Sequence, residues 1–197
     1  MKKIEIIWRE LLFQAIEKNN RQFTQKELAS KFGFSTSTIF QALKTPRKMG
    51  AVRVGGRNFV LEDPEKLLYH WASVRDLSKD IILAGQVRLP VAEIEGRIPP
   101  EAVFGGYGAA KELLKGDVPA DYDKVYIYLS DKNQAHSRFE IKKGRENLFV
   151  LKKDEFLDSY GQITTISQTF VDLWNLSDWY AKEFIKTLKE KIDGLLS

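Results

Sequence analysis

The sequence predicts an α+β fold in two parts: a helical amino-terminal domain closed by a β-hairpin, then a mixed α/β domain ending in long helices. Three observations predict it. Apolar residues recur at three- and four-residue spacing through most of residues 1–77 and again from 167 onward, which is the period of a helix face. Between these stretches lie short runs of β-branched and aromatic residues, the richest being VYIYLS at 125–130. Charge changes with the pattern: residues 1–77 hold 14 basic and 8 acidic residues, net +6, and residues 78–197 hold 17 and 19, net −2. The domains are therefore expected at 1–77 and 78–197, one facing nucleic acid and one with another task.

Each amino-terminal element follows from local signals. Ile4, Ile7, Trp8, Leu11, Leu12, Ala15 and Ile16 make one apolar helix face, ended by Asn19-Asn20. Thr24 is an N-cap, with Glu27 at the N3 position of a capping box. Leu28, Ala29 and Phe32 face inward, and Gly33 supplies the turn. Ser35 caps the next helix, whose Ile39, Ala42 and Leu43 face the core, and Pro46 is expected to stop it. Residues 51–54 and 58–61 alternate across Gly55-Gly56-Arg57, a hairpin signature. Helix, turn, helix, hairpin is the order of a winged helix-turn-helix, which sets one helix in a DNA groove with a hairpin beside it.

The charge agrees with that order. From Lys18 to Arg57 there are nine basic residues and one acid, Glu27, a net of +8 in a chain that nets only +4. The outward positions of the second helix of the motif are Thr36, Ser37, Thr38, Phe40, Gln41 and Lys44. Gln pairs two-pronged with adenine, and Ser or Thr bonds phosphate or base, so Thr36 and Gln41 are the candidates for base edges and Ser37 and Thr38 for phosphate. Lys31 and Ser35 flank the turn, Lys44, Arg47 and Lys48 would track the backbone, and Arg53 and Arg57 on the hairpin would reach phosphate or the minor groove. The competing reading is the solvated face of an ordinary helix.

Asp63-Pro64 opens a further helix running to about Leu77, with Leu67, Leu68, Trp71, Val74 and Leu77 as its packing face. It reads as the connector between the domains. His70 lies off that stripe and reads as a surface or packing residue rather than a ligand.

After Ser78 the pattern shifts. Residues 81–83, 90–94, 124–130, 138–141 and 147–151 read as strands, and 101–114 as a glycine-weakened helix. From Ser167 the chain is helical. Phe170, Leu173 and Trp174, then after a Ser177 cap Tyr180, Phe184, Ile185, Leu188, Ile192 and Leu195, keep helical spacing. Trp174 and Trp179 are expected in the domain's own core. The alternative makes them, with Phe184 and Leu188, the face of a symmetric homodimer, which would demand a palindromic DNA site.

Composition narrows the chemistry. The chain has no cysteine, so disulfides and thiolate metal sites are excluded, and its two histidines, His70 and His136, are far apart. No apolar run is long enough to span a bilayer, and the amino terminus lacks a cleavable leader pattern, so a cytoplasmic protein with no membrane partner is expected. No metal and no cofactor are expected. One constellation has an enzymatic outline: Gly105-Gly106, then Asp121-Tyr122-Asp123 before a strand, with Glu140 on a later one. A nucleotidyltransferase uses such glycines against a triphosphate and such carboxylates on Mg²⁺. Here the carboxylates precede the strand, beside Pro119 and Ala120, and no serine follows the first glycine, so a solvated turn is the preferred reading.

With these segments in hand, the chain resembles the AbiEi-type antitoxins, winged-helix regulators of type IV toxin-antitoxin systems. The resemblance rests on ELASKFGFSTSTIFQAL, GAVRVGGRNFVL, FGGYGAAKELL before VYIYLSD, and QTFVDLWNLSDWYAKEF. It implies a non-enzymatic protein that binds double-stranded operator DNA, represses its own operon, and counters a partner nucleotidyltransferase toxin. On the matching positions, Thr36 to Lys44 and Arg53 to Arg57 would be the DNA elements. A stand-alone, ligand-responsive repressor fits the same residues.

Overall fold

The computed structural model describes all 197 residues and is a mixed α+β structure with two small sheets. It forms two compact units, Met1–Arg75 with Lys191–Ser197, and Asp76–Glu190. The last seven residues, kept with the second domain in the reading above, cluster with the first, where the Arg21 guanidinium donates to the Leu196 carbonyl at 3.2 Å.

The first unit runs α1 (Lys3–Glu17), β1 (Gln22–Phe23), α2 (Gln25–Phe32), α3 (Thr36–Lys48), β2 (Val52–Val54), β3 (Phe59–Leu61) and α4 (Pro64–Val74). The three strands form an antiparallel sheet in the order β1-β3-β2. β1 was not anticipated, because two residues are too few to show alternation; it exists through its pairing with Val60 and Phe59. Ile7, Leu11 and Leu12 of α1, Ile39 and Leu43 of α3, and Leu67, Leu68 and Trp71 of α4 are almost wholly buried. Each such aliphatic side chain stabilises the fold by about 1.5–3 kcal/mol relative to exposure.

Polar groups also fix this core. Glu5, 4% exposed, accepts from Arg75 at 3.0 Å and from the Trp71 indole at 3.3 Å. Trp8 donates its indole N–H to the Ala42 carbonyl at 2.8 Å. Pro46 does not stop α3 as expected: it sits inside the last turn, and the helix continues to Lys48. A proline there removes the N–H that would bond the carbonyl four residues back, which is Ala42. The Trp8 indole satisfies that carbonyl instead.

Helix α4 starts as expected, with Asp63 capping the Lys66 N–H at 2.9 Å, but it ends at Val74. Arg75 turns extended there, so Val74 is exposed and leaves the packing stripe, while Leu77 is buried in a separate 3₁₀ turn, Leu77–Asp80. His70 packs edge-on against the Trp8 ring, centroids 5.0 Å apart, and burial lowers its pKa below the ordinary histidine value.

The second unit contains β4 (Ile81–Gly85), α5 (Val91–Arg97), β5 (Val103–Gly105), α6 (Gly106–Leu113), β6 (Val125–Leu129), α7 (Asn133–His136), β7 (Leu148–Lys152), α8 (Ile166–Trp174) and most of α9 (Ala181–Leu196). Its sheet has the order β4-β7-β6-β5, with β6 parallel to β7 and antiparallel pairs outside them. The parallel pair is the buried centre, which is why β6 reads as a continuous apolar run rather than an alternation.

Several strand expectations give way here. Residues 90–94 begin a helix: Val91, Ile94 and Ile98 are spaced three and four apart and turn toward the sheet. A five-residue window is too short to separate the two periods. Residues 138–141 form no strand, and only a single bridge, Gln86 with Lys142, lies next to them. Residues 101–114 split into β5 and α6. The glycine pair marks that corner. Gly106 has φ +52, and a Cβ on Gly105 would meet the Tyr128 ring at 2.8 Å, so both glycines serve close packing on β6. Ser177 is not a cap, since α9 begins at Ala181, whose N–H bonds the Asp178 carbonyl at 3.0 Å. Trp174 and Trp179 are exposed rather than in the core, and Phe184 and Leu188 are fully buried rather than on a dimer face.

No helix is long and apolar enough to cross a membrane.

Candidate nucleic-acid interface

The presented surface of the first unit is built on two capped helices. Thr24 and Glu27 form the reciprocal capping box, Thr24 N–H to the Glu27 carboxylate at 3.0 Å and Glu27 N–H to the Thr24 hydroxyl at 3.1 Å. Gly33 ends α2 in the left-handed conformation, φ +60. That turn aims α3 away from α2, and Ser35 caps it by accepting from the Thr38 N–H at 3.1 Å. Ile39, Ala42, Leu43 and Pro46 bury one face. Ser37, Gln41, Lys44 and Lys48, spaced four, three and four, form an exposed strip away from it.

The predicted residues divide by what already holds them. Thr36, Ser37, Gln41, Lys44, Arg47 and Lys48 are exposed. Lys44, Arg47, Lys48 and the hairpin-tip Arg57 are cations with no acidic partner. Phe40 is exposed too, with the Arg47 guanidinium 6.0 Å above its ring. Ser35 and Thr38 are occupied with each other, their hydroxyls 2.9 Å apart, so their first task is the cap. Lys31 pairs with the nearly buried Glu10, and Arg53 with Glu62 on the neighbouring strand end. These two cations brace the unit as well as adding to its charge.

One residue escaped the sequence reading. Lys26, at the start of α2, lines a cavity of about 150 Å³ together with Val54 to Phe59, including Arg57. The β1–β3 pairing brings the start of α2 beside the hairpin, and the only sequence signal for that pairing was a two-residue strand. Lys26 and Arg57 thus form one basic corner. The surface as a whole has Lys26, Lys44, Arg47, Lys48 and Arg57, with the Ser37 hydroxyl, to set against phosphates, and Thr36 and Gln41 to set against base edges.

Asp121 and Asp123, singled out from the sequence, lie elsewhere, around a cleft of about 520 Å³ in the second unit that Glu140 does not line. Asp123 accepts from Tyr180 and from Arg145, each at 2.6 Å. Asp178 is held by Lys124 and by Tyr107 at 2.9 Å. Burial, then the neighbouring carboxylate, pushes the Tyr107 and Tyr180 hydroxyls well above the ordinary tyrosine value, so both stay donors. Glu140 is not on a strand and pairs with Lys142 at 2.8 Å. No three His, Asp or Glu side chains converge as a metal-binding group.

Comparison with protein-family models and with curated proteins found no match for this chain.

Proposed function

We propose that this chain is a sequence-specific DNA-binding transcriptional regulator, acting through a winged helix-turn-helix in its first unit. The observation that carries the reading is the pairing of an exposed polar strip on α3 with unpartnered cations at both its end and the hairpin tip. Element order supports it too: α1-β1-α2-α3-β2-β3, with a three-stranded antiparallel sheet behind a capped helix pair, is the arrangement in which α3 would enter the major groove and the hairpin would flank it. The resemblance to AbiEi-type antitoxins extends the proposal. The regulator would repress its own operon, and its second unit would counter a nucleotidyltransferase toxin.

Fluorescence anisotropy with the DNA just upstream of the gene, against unrelated DNA of equal length and across a salt series, tests the reading. Preference for the upstream DNA, reduced in Gln41→Ala and Arg57→Ala, is the expected result. Equal weak binding to both DNAs would reject sequence-specific regulation. The enzymatic alternative, a nucleotidyltransferase using Asp121 and Asp123 with Mg²⁺, predicts Mg²⁺-dependent consumption of nucleoside triphosphate that disappears in the double Asp→Ala variant.

A further inference from the structure

The loop between α8 and α9 holds Trp179 at the mouth of the 520 Å³ cleft, 78% exposed. Its ring and that of Tyr180 stand nearly perpendicular, centroids 5.4 Å apart and planes at 83°, and most of the indole stays open to solvent. Trp179 adds an aromatic surface to a concave site that already gathers aromatic and polar side chains, the composition of a ligand pocket.

The charges around the cleft decide what it would bind. Four acids line it, Asp121, Asp123, Asp178 and Glu146, against two bases, Lys124 and Arg145. Each base already has an acid partner, Lys124 in a largely buried pair with Asp178 and Arg145 in an exposed one with Asp123. Asp121 and Glu146 are exposed and have no ion pair, so the unfilled demand is for positive charge. A phosphate or carboxylate ligand would meet an excess of acids, four against two bases. The cleft also shows its preference internally: the Lys124 ammonium lies 5.9 Å over the Phe149 ring, a resident cation on an aromatic face.

We propose that this cleft is a receptor for an organic cation, a guanidinium or alkylammonium group seated on the Trp179 face and bonded by Asp121 and Glu146. Tryptophan is the strongest aromatic partner for a cation, and two carboxylates add charge-assisted hydrogen bonds. The bonds Tyr180–Asp123 and Tyr107–Asp178–Lys124 hold the wall in place before the ligand arrives. The group could come from a free polyamine or from an arginine side chain of a peptide. The proposal stands independently of whether the first unit binds DNA.

The test is NMR of the four tryptophan indole N–H signals in the full chain, with Trp179 assigned through Trp179→Phe. Spermidine, an acetylated and amidated Gly-Arg-Gly peptide, and ADP are titrated separately at low salt. The expected result is a saturable shift of the Trp179 signal with one or both cations and none with ADP. A response to spermidine alone assigns a free polyamine, and a response to the peptide alone assigns a side chain. Asp121→Asn with Glu146→Gln should weaken the response at least about tenfold. The Trp174 signal, from an indole stacked on Phe170 in the same unit as both substitutions, reports that the variant is folded. No saturable shift with either cation, a shift with ADP, or unchanged affinity in the folded double variant would overturn the proposal.

Discussion

Trp8 and Pro46 are coupled through one carbonyl. Pro46 lies within α3 and cannot supply the N–H that the Ala42 oxygen would otherwise accept, and the Trp8 indole of α1 supplies it at 2.8 Å. A carbonyl left open within one helix has thereby become the acceptor that fixes a second helix against it.

This coupling predicts a non-additive pair. Trp8→Phe keeps an aromatic ring but strands a buried carbonyl, and should destabilise the chain by about 1–3 kcal/mol. Pro46→Ala returns a backbone N–H to that carbonyl, so in the Trp8→Phe background it should recover part of the loss. Chemical denaturation of both single variants and the double variant measures the coupling. Strict additivity would show that Ala42 is not the shared element.

The buried pair Glu5–Arg75 predicts an asymmetric response. Both side chains are almost wholly excluded from solvent, and Glu5 also accepts from Trp71. Glu5→Ala leaves the guanidinium without this partner and should cost about 3–5 kcal/mol, whereas an exposed pair such as Arg53–Glu62 should cost under about 1 kcal/mol. Urea midpoints of Glu5→Ala and Glu62→Ala make the comparison.

His70 predicts a pH dependence. Its folded pKa is depressed by burial against Trp8, so the unfolded chain takes up the proton first as pH falls. The stabilising contribution is complete above the ordinary value of 6.5 and is lost as pH drops from there through the folded value. His70→Gln should remove the loss of stability that sets in as pH falls below 6.5. Asp63, whose pKa is lowered because hydrogen bonds and charge from Lys66 outweigh its burial, acts in a separate window that opens only below its ordinary 3.8.

The proposed interface predicts two classes of variant. Lys44→Ala, Lys48→Ala and Arg57→Ala should weaken binding to all DNA sequences and each lower the salt slope by about one. Gln41→Ala should instead reduce the preference for the upstream sequence, by about 1–3 kcal/mol if it reads a base in two-pronged fashion. Anisotropy titrations at several salt concentrations separate the two. Identical behaviour of Gln41→Ala and Lys44→Ala would remove Gln41 from base recognition.

What the sequence determined was set by neighbours along the chain. The Thr24–Glu27 capping box, the Gly33 turn, the Ser35 and Asp63 caps, the hairpin at residues 55–58 and the buried faces of α1 and α3 all depend on contacts a few residues apart. Their side-chain types therefore announce them. The same holds for the exposed strip on α3, since the helical period fixes which residues face out once Ile39 and Leu43 face in. Tertiary structure decided the rest, because the partners are distant. Pro46 continues its helix because Trp8, 38 positions earlier, accepts its consequence. Lys26 reaches the hairpin only through the pairing of β1 with β3. Residues 90–94 had apolar runs compatible with either period, and the sheet they met made them helical. Asp121 and Asp123 read as a turn or a metal pair, and the fold set them instead at the rim of an aromatic cleft. Trp179, a large aromatic residue expected in the core, was held out in solvent by the loop before α9.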